Sequence, residues 1–295
     1  MANETTLTSL AELVTPERLT QIILEEHRPA SVFDLVSWRI DVSANPATTI
    51  VIPRWDKSDV PAGTKAETDE FTNVEATTSE STITAGVVGL SRELTDPAAQ
   101  DAGVRAEQLI RMNLRGMAER LTSDLLALHT SATNASDFNG TNLDLDKWGT
   151  ATAAFHAQYP HMAGMARVAV LSTNAVRDLK KAIRNAGGAI ESTGRGLGLL
   201  SNVEGGIFMF EGYTVIESGL VPQFDATNDS NALMVVGTDG DRVGSALARG
   251  IWWDVKHELD RHPKKQTTDI VTSARYGVAI SDQSNLRELI TKKAA

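Results

Sequence analysis

The sequence predicts an α+β fold, and three observations lead there. One stretch repeats apolar residues at intervals of three and four: Ile110, Leu114, Met117, Leu121, Leu125 and Leu128. That is the period of a single helix face. Short apolar runs of strand length recur through both halves of the chain. These runs do not alternate regularly with helices, and no segment repeats, so a doubly wound α/β sheet and a solenoid are both excluded.

Residues 1–28 read as an arm ending in one amphipathic helix. Thr15 can cap it, Pro16 suits its first turn, Leu19, Ile22 and Ile23 share a face, and Pro29 stops it. A helix this short needs a surface to lie on. Short apolar runs return over 30–52. Residues 53–85 differ: their large apolar side chains are only Trp55, Val60, Phe71, Val74 and Ile83, among seven Thr and seven acids. Such a segment cannot build a core. It is either a flexible insert or a long hairpin stabilised by lying across a neighbouring molecule.

Residues 82–90 form a small-residue strand. Asp96 is the expected N-cap of the long helix, with Pro97 in its first turn. If helical from Pro97 to about Thr130, it is on the order of 50 Å long. Residues 131–142 are a polar loop. A helix follows from Leu145 to Gln158, capped by Asp144 and stopped by Pro160. Residues 167–171 are a buried strand, and Ser172 or Thr173 caps a helix reaching Asn185. Residues 186–206 are a Gly-rich loop. Residues 207–210 and 213–216 form a hairpin, 233–236 and 251–255 are strands, and 267–280 is a long strand or pair. Ser284 or Asn285 opens a short terminal helix carrying Leu286, Leu289 and Ile290.

The 295 residues are 41% apolar and 22% charged, a globular composition long enough to bury a sizeable core without staples. Cys is absent, which excludes disulfides, thiolate metal sites and a Cys nucleophile. No apolar run approaches the roughly 18 residues of a membrane span. The Met-Ala-Asn-Glu-Thr-Thr start lacks a secretory signal, so synthesis is expected in a reducing cytosol. The net charge of −10 is uneven, since residues 1–150 carry 23 acids against 12 bases. That imbalance opposes tight wrapping of nucleic acid or docking on anionic lipid. It suits self-association, the acidic part of one copy meeting the more basic part of the next, and equally a generic solubility charge.

The candidates for chemistry do not hold together. His257-Glu258-Leu259-Asp260-Arg261-His262 resembles a zinc-protease motif, but its histidines stand five apart where one helix face needs four, so a solvated charged turn is the plainer reading. Gly194-Arg195-Gly196-Leu197-Gly198 has no strand before it and no Lys-Ser/Thr after it, as a phosphate loop requires. Asp144 to Gly149 begins like a calcium loop, but Trp148 and Phe155 occupy ligand positions, leaving a helix cap. Trp252 and Trp253 would face opposite sides of a strand, one in the core and one at an interface. Arg261, Lys264 and Lys265 read as a solvated basic turn before they read as a contact for nucleic acid or an acidic loop. The expectation is no catalytic, cofactor-binding or metal-binding residue, and no enzyme.

The order of parts carries a resemblance. A strand through Ile83-Thr84-Ala85-Gly86-Val87-Val88-Gly89-Leu90 meets Ser91-Arg92-Glu93-Leu94-Thr95-Asp96 and a long helix running to Ser123-Asp124-Leu125-Leu126. Phe210-Glu211-Gly212-Tyr213-Thr214-Val215 with Val221-Pro222, and Thr268-Asp269-Ile270-Val271 through Arg275-Tyr276-Gly277-Val278-Ala279, add to it. Over nearly its whole length the chain resembles the major capsid proteins of tailed bacteriophages, the Hong Kong ninety-seven type. No single motif is diagnostic; the succession is.

The resemblance implies an N-terminal arm (1–48), an extended hairpin or E-loop (49–90), a peripheral domain with the spine helix (91–144 and 261–295) and an axial domain (145–260). It implies a coat protein in which arm and hairpin lie on adjacent subunits. Hexamers and pentamers would close an icosahedral shell around packaged double-stranded DNA, assembled in the host bacterial cytoplasm and residing in the virion. Partners would be a portal, a separate scaffolding protein and a cement or decoration protein. With about 30 residues before the body, no large maturation cut is expected. Some family members crosslink a hairpin Lys to an Asn in the last strands. Lys57 and Lys65 are available here, but no Asn occurs from Ala232 to Ser284, so no such bond is expected. An encapsulin-type cellular shell of the same fold is the alternative, and a soluble hydrolytic enzyme a distant third.

Overall fold

A computed structural model describes residues 36–44, 47–55, 78–101, 106–158, 165–186, 207–238 and 243–293. The predicted arm up to residue 35, the hairpin from 56 to 77 and the Gly-rich stretch 187–206 lie outside the described residues.

Two sheets organise the chain. One has four strands: β1 (Ser37–Asp41), β10 (Leu247–His262), β11 (Thr267–Ile280) and β4 (Gly86–Thr95), in that spatial order. The other has six, ordered β5 (Ala135–Asp137), β12 (Leu286–Lys292), β9 (Asn228–Val236), β6 (Ala166–Leu171), β8 (Tyr213–Glu217) and β7 (Ile207–Phe210). A separate ribbon pairs β2 (Thr49–Trp55) with β3 (Thr78–Thr84).

Helix α1 (Asp96–Asp101) follows β4, and α2 (Ala106–Ala127) is the spine, about 33 Å long at 1.5 Å per residue. The predicted apolar stripe is its buried face: Ile110 and Leu114 pack with Leu94 and Ile270 of the four-stranded sheet. Farther along, Met117, Leu121 and Leu125 pack on Val168, Val170 and Met234 of the six-stranded sheet. Helices α3 (Leu145–Gln158) and α4 (Thr173–Asn185) cover that sheet's other face through Trp148, Phe155, Val176 and Leu179. The six-stranded sheet is thus buried on both faces. This explains why β9 is buried along its whole length.

The caps show how local chemistry sets these elements. Asp144 Oδ1 accepts from the Lys147 amide, and Ser172 Oγ from the Ala175 amide, as the sequence predicts. The cap expected at Asp96 is corrected: Asp96 is the first residue of the short α1, where Thr95 Oγ1 accepts from the Ala98 amide, while Asp96 forms a bidentate pair with Arg261 at 2.8 and 2.7 Å.

Other expectations fail for tertiary reasons. The segment expected as a terminal helix is β12, entered by a 3-10 turn at Gln283–Asn285. Its Leu286, Leu289 and Ile290 fit helical spacing, but it lies between β5 and β9, where both faces are covered. The expected charged turn at His257–His262 is instead the distal half of β10, paired with β11 throughout. Short β5 falls inside the expected loop. Residues 247–260 therefore join the four-stranded sheet and 286–292 the six-stranded one, a partition that differs from the boundaries read above.

Candidate assembly surfaces

The seat of the β2–β3 ribbon is the best-defined surface. Register runs from Thr49 opposite Thr84 to Trp55 opposite Thr78. Ile52 and Ile83 pack with Val42, Ala248 and Trp252. At the crossing, a Cβ on Gly277 would run into the Thr84 carbonyl oxygen and the Ile83 side chain, so only glycine lets the backbones meet. Polar ties fix the angle: Ser81 Oγ donates to the Ile280 carbonyl at 2.5 Å, and Arg54 pairs with Asp282 at 2.6 Å. The Trp252 indole donates to the Ala47 carbonyl at 2.6 Å. The expectation that this segment joins no core is corrected at its base. There Ile83 is fully buried against its own chain, because strand alternation turns it inward among polar neighbours.

On its outer face the ribbon exposes Val51 and polar side chains. Between β1 and β2 runs an apolar groove of about 540 Å³, lined by Trp38, Ile40, Val42, Ile50, Val51 and Ile52. Strands β1 and β4 are the edges of the four-stranded sheet among the described residues.

The sheet face turned away from α2 is charged. Glu93, Asp269 and Asp260 stand opposite one another on β4, β11 and β10. Like charges directly opposite are unfavourable in a sheet. His262 Nε2 lies 3.2 Å from Asp269 and 3.6 Å from Asp260. Lys256 and the Arg275 guanidinium each sit 5.4 Å from the Trp253 ring centre.

The sequence candidates scatter across this region. His257 points to the other face, its Nδ1 2.9 Å from Thr272 Oγ1, and burial holds its pKa below the ordinary imidazole value. Residues five apart on a strand face opposite ways, so His257 and His262 cannot share a metal. Among the described residues no group of three His, Cys, Asp or Glu is placed to hold one. Arg261 is held by Asp96, leaving Lys264 and Lys265 exposed in the turn. Trp252 and Trp253 do not simply face apart: ladder irregularities on either side of Trp253 let both rings approach Arg275, at 5.9 and 5.4 Å. Asp144 is a helix cap, and residues 194–198 lie outside the described residues.

Beside the six-stranded sheet, α4 exposes Arg177, Lys181 and Arg184 along one stripe. His156 Nε2 lies 2.9 Å from the Tyr213 hydroxyl, whose burial pushes its pKa up to about 12. Among the described residues these groups do not converge as a nucleophile and base at the floor of one pocket. The ribbon seat and the carboxylate row escape sequence reading because both depend on cross-strand register.

No family model matches the chain, and no curated protein matches it by sequence. Solved structures do. The mature capsid of bacteriophage PhiM1 superposes at a TM-score of 0.64 with 11% identity, over 90% of this chain and 88% of that chain. The capsid of a native GTA particle gives 0.62 with 18% identity, over 90% and 91%. The holo-SrpI encapsulin complex of Synechococcus elongatus gives 0.59 with 11% identity, over 98% and 91%. The chain has the fold of tailed-phage major capsid proteins, the Hong Kong ninety-seven type.

Proposed function

We propose that this protein is the major coat protein of a tailed-phage head, a non-enzymatic subunit that assembles as hexamers and pentamers of an icosahedral shell enclosing double-stranded DNA. The observation that carries the reading is similarity in fold to capsid subunits over about nine-tenths of both chains. The four-stranded sheet with α2 is the peripheral domain, and the six-stranded sheet with α3 and α4 the axial domain. Other copies of the chain are its principal partners, and a portal, a separate scaffolding protein and a cement protein are the remaining ones in this reading. Synthesis and assembly take place in the host bacterial cytoplasm.

An encapsulin-type shell is the second reading, favoured by the 98% coverage of this chain against the encapsulin subunit. Recombinant expression followed by negative-stain microscopy tests both. Closed hollow particles are expected, and only monomers together with hydrolytic turnover lost in His257→Ala would defeat the shell reading. Particles purified from infected cells separate the two shells, DNA content supporting the first and an enclosed enzyme the second.

A further inference from the structure

The chain contains one Asn-Gly pair, Asn139-Gly140, in the loop between β5 and α3. Both residues are exposed, and Gly140 has a φ of 69°. The turn is closed by the Thr141 amide donating to the Phe138 carbonyl at 3.0 Å, and the Asn139 amide donates to Asp137 Oδ1 at 2.9 Å. Asn-Gly is the sequence in which a backbone amide most easily attacks the preceding side chain, because glycine puts no Cβ in the way.

Here that attack meets an obstacle. The Gly140 amide donates to Asn228 Oδ1 at 2.9 Å, and Asn228 Nδ2 donates to Asn139 Oδ1 at 2.7 Å. A backbone N–H can only donate, so the Asn228 amide orientation is fixed by this contact. Asn228 is fully buried at the start of β9, and its Nδ2 also reaches Asp225 Oδ2 at 2.8 Å and Thr227 Oγ1 at 3.0 Å. One buried side chain thus grips both reactants, the nucleophilic nitrogen and the carboxamide it would attack.

We propose that Asn139-Gly140 is a latent deamidation site and that Asn228 holds it shut. In the reaction the Gly140 nitrogen gives up its proton to hydroxide and attacks Asn139 Cγ. The new N–Cγ bond forms, the Cγ–Nδ2 bond breaks, and ammonia departs with a proton from water. Water then opens the resulting succinimide to aspartate or isoaspartate. Isoaspartate adds a methylene to the backbone, which breaks the Gly140–Asn228 contact and unties the loop from β9. In the shell proposed above, this contact would set how fast the loop ages.

The bond that ties up the Gly140 N–H must open before the nitrogen can be deprotonated, and the bond to Asn139 Oδ1 must let the side chain turn for Cγ to meet that nitrogen, which together slow attack by about tenfold or more. The test is mass spectrometry of the Asn139 peptide from full-length protein held at mildly alkaline pH, native and in denaturant. Native protein is expected to deamidate at least about tenfold more slowly than denatured protein, and Asn228→Ala to lose that protection while keeping its circular dichroism. Equal rates in native and denatured wild type overturn the proposal, as does a folded Asn228→Ala that stays as slow as wild type. Should that variant not fold, hydrogen exchange at Gly140 in the wild type decides. A slow, protected amide upholds the guard, and exchange at the rate of a free loop amide refutes it. Asn139→Gln serves as the control peptide that yields no product.

Discussion

His129 offers a quantitative test of how the spine helix meets the six-stranded sheet. It lies in the 3-10 turn Leu128–Ser131 that ends α2, fully buried, with no well-formed hydrogen bond at either ring nitrogen. Burial lowers its pKa from 6.5 to about 4, the Ser230 backbone only partly offsetting this. A group that resists protonation when folded contributes its full stability above the unfolded pKa and loses it as pH falls through the folded value. Between pH 6.5 and 4 the folded state should therefore lose about 3 kcal/mol on this account alone, at 1.36 kcal/mol per unit. Buried His257 acts in the same direction, and Glu288, whose pKa is raised by burial, acts in the opposite one. The comparison must therefore be with a variant. His129→Leu removes the titration and fills the site with carbon. Urea unfolding of unassembled subunits at pH 7.5, 6, 5 and 4.5 should show the stability gap between variant and wild type widening as pH falls, by a total on the order of 3 kcal/mol. Parallel pH profiles would mean the imidazole is charged or hydrated in the folded protein, and the packing argument would fail.

Other perturbations separate assembly from folding. Gly277→Ala drives a methyl into the Thr84 carbonyl, so the ribbon should leave its seat; soluble subunits that form no closed particles by negative-stain microscopy are expected, and normal shells would contradict the role given to that crossing. Ile83→Ala empties a fully buried site and should cost roughly 2–4 kcal/mol in denaturant unfolding. Ser172→Ala removes the α4 cap and should lower stability by about 1 kcal/mol, measured the same way. Asp96→Asn weakens a pair with Arg261 that is partly open to solvent, so its thermal effect should be under about 1 kcal/mol.

The elements legible in the sequence are those whose signals are local. Helices α3 and α4 begin where Asp144, Ser172 and the apolar period say they should, because a cap and a 3.6-residue stripe are read within one window. Strand β11 was equally plain, an alternating run with no Gly or Pro until Gly277. Strand β12 was not. Its Glu288 and Thr291 look like solvent positions, yet both are buried, and their partners come from β9: Ser230 Oγ bonds the Glu288 carboxylate and Asn231 Nδ2 donates to Thr291 Oγ1 at 2.9 Å. The same pairing hides the polar half of β9. A buried polar residue reads as exposed until the strand that satisfies it is known, and that strand lies 58 or 60 residues away.

The same limit bears on function. A catalytic site announces itself by residue types suited to chemistry, whereas a surface for self-assembly is made of ordinary residues in an unusual arrangement. Glu93, Asp260 and Asp269 are unremarkable singly and become a row of facing carboxylates only through two registers. Ile83 looks like an isolated apolar residue in a polar ribbon until Gly277 permits the crossing that buries it. The ribbon base is therefore anchored to its own chain by one isoleucine pair, one glycine and three polar ties. In the shell proposed above, an anchor this firm at the base would let the same element be presented to a neighbouring copy from every subunit.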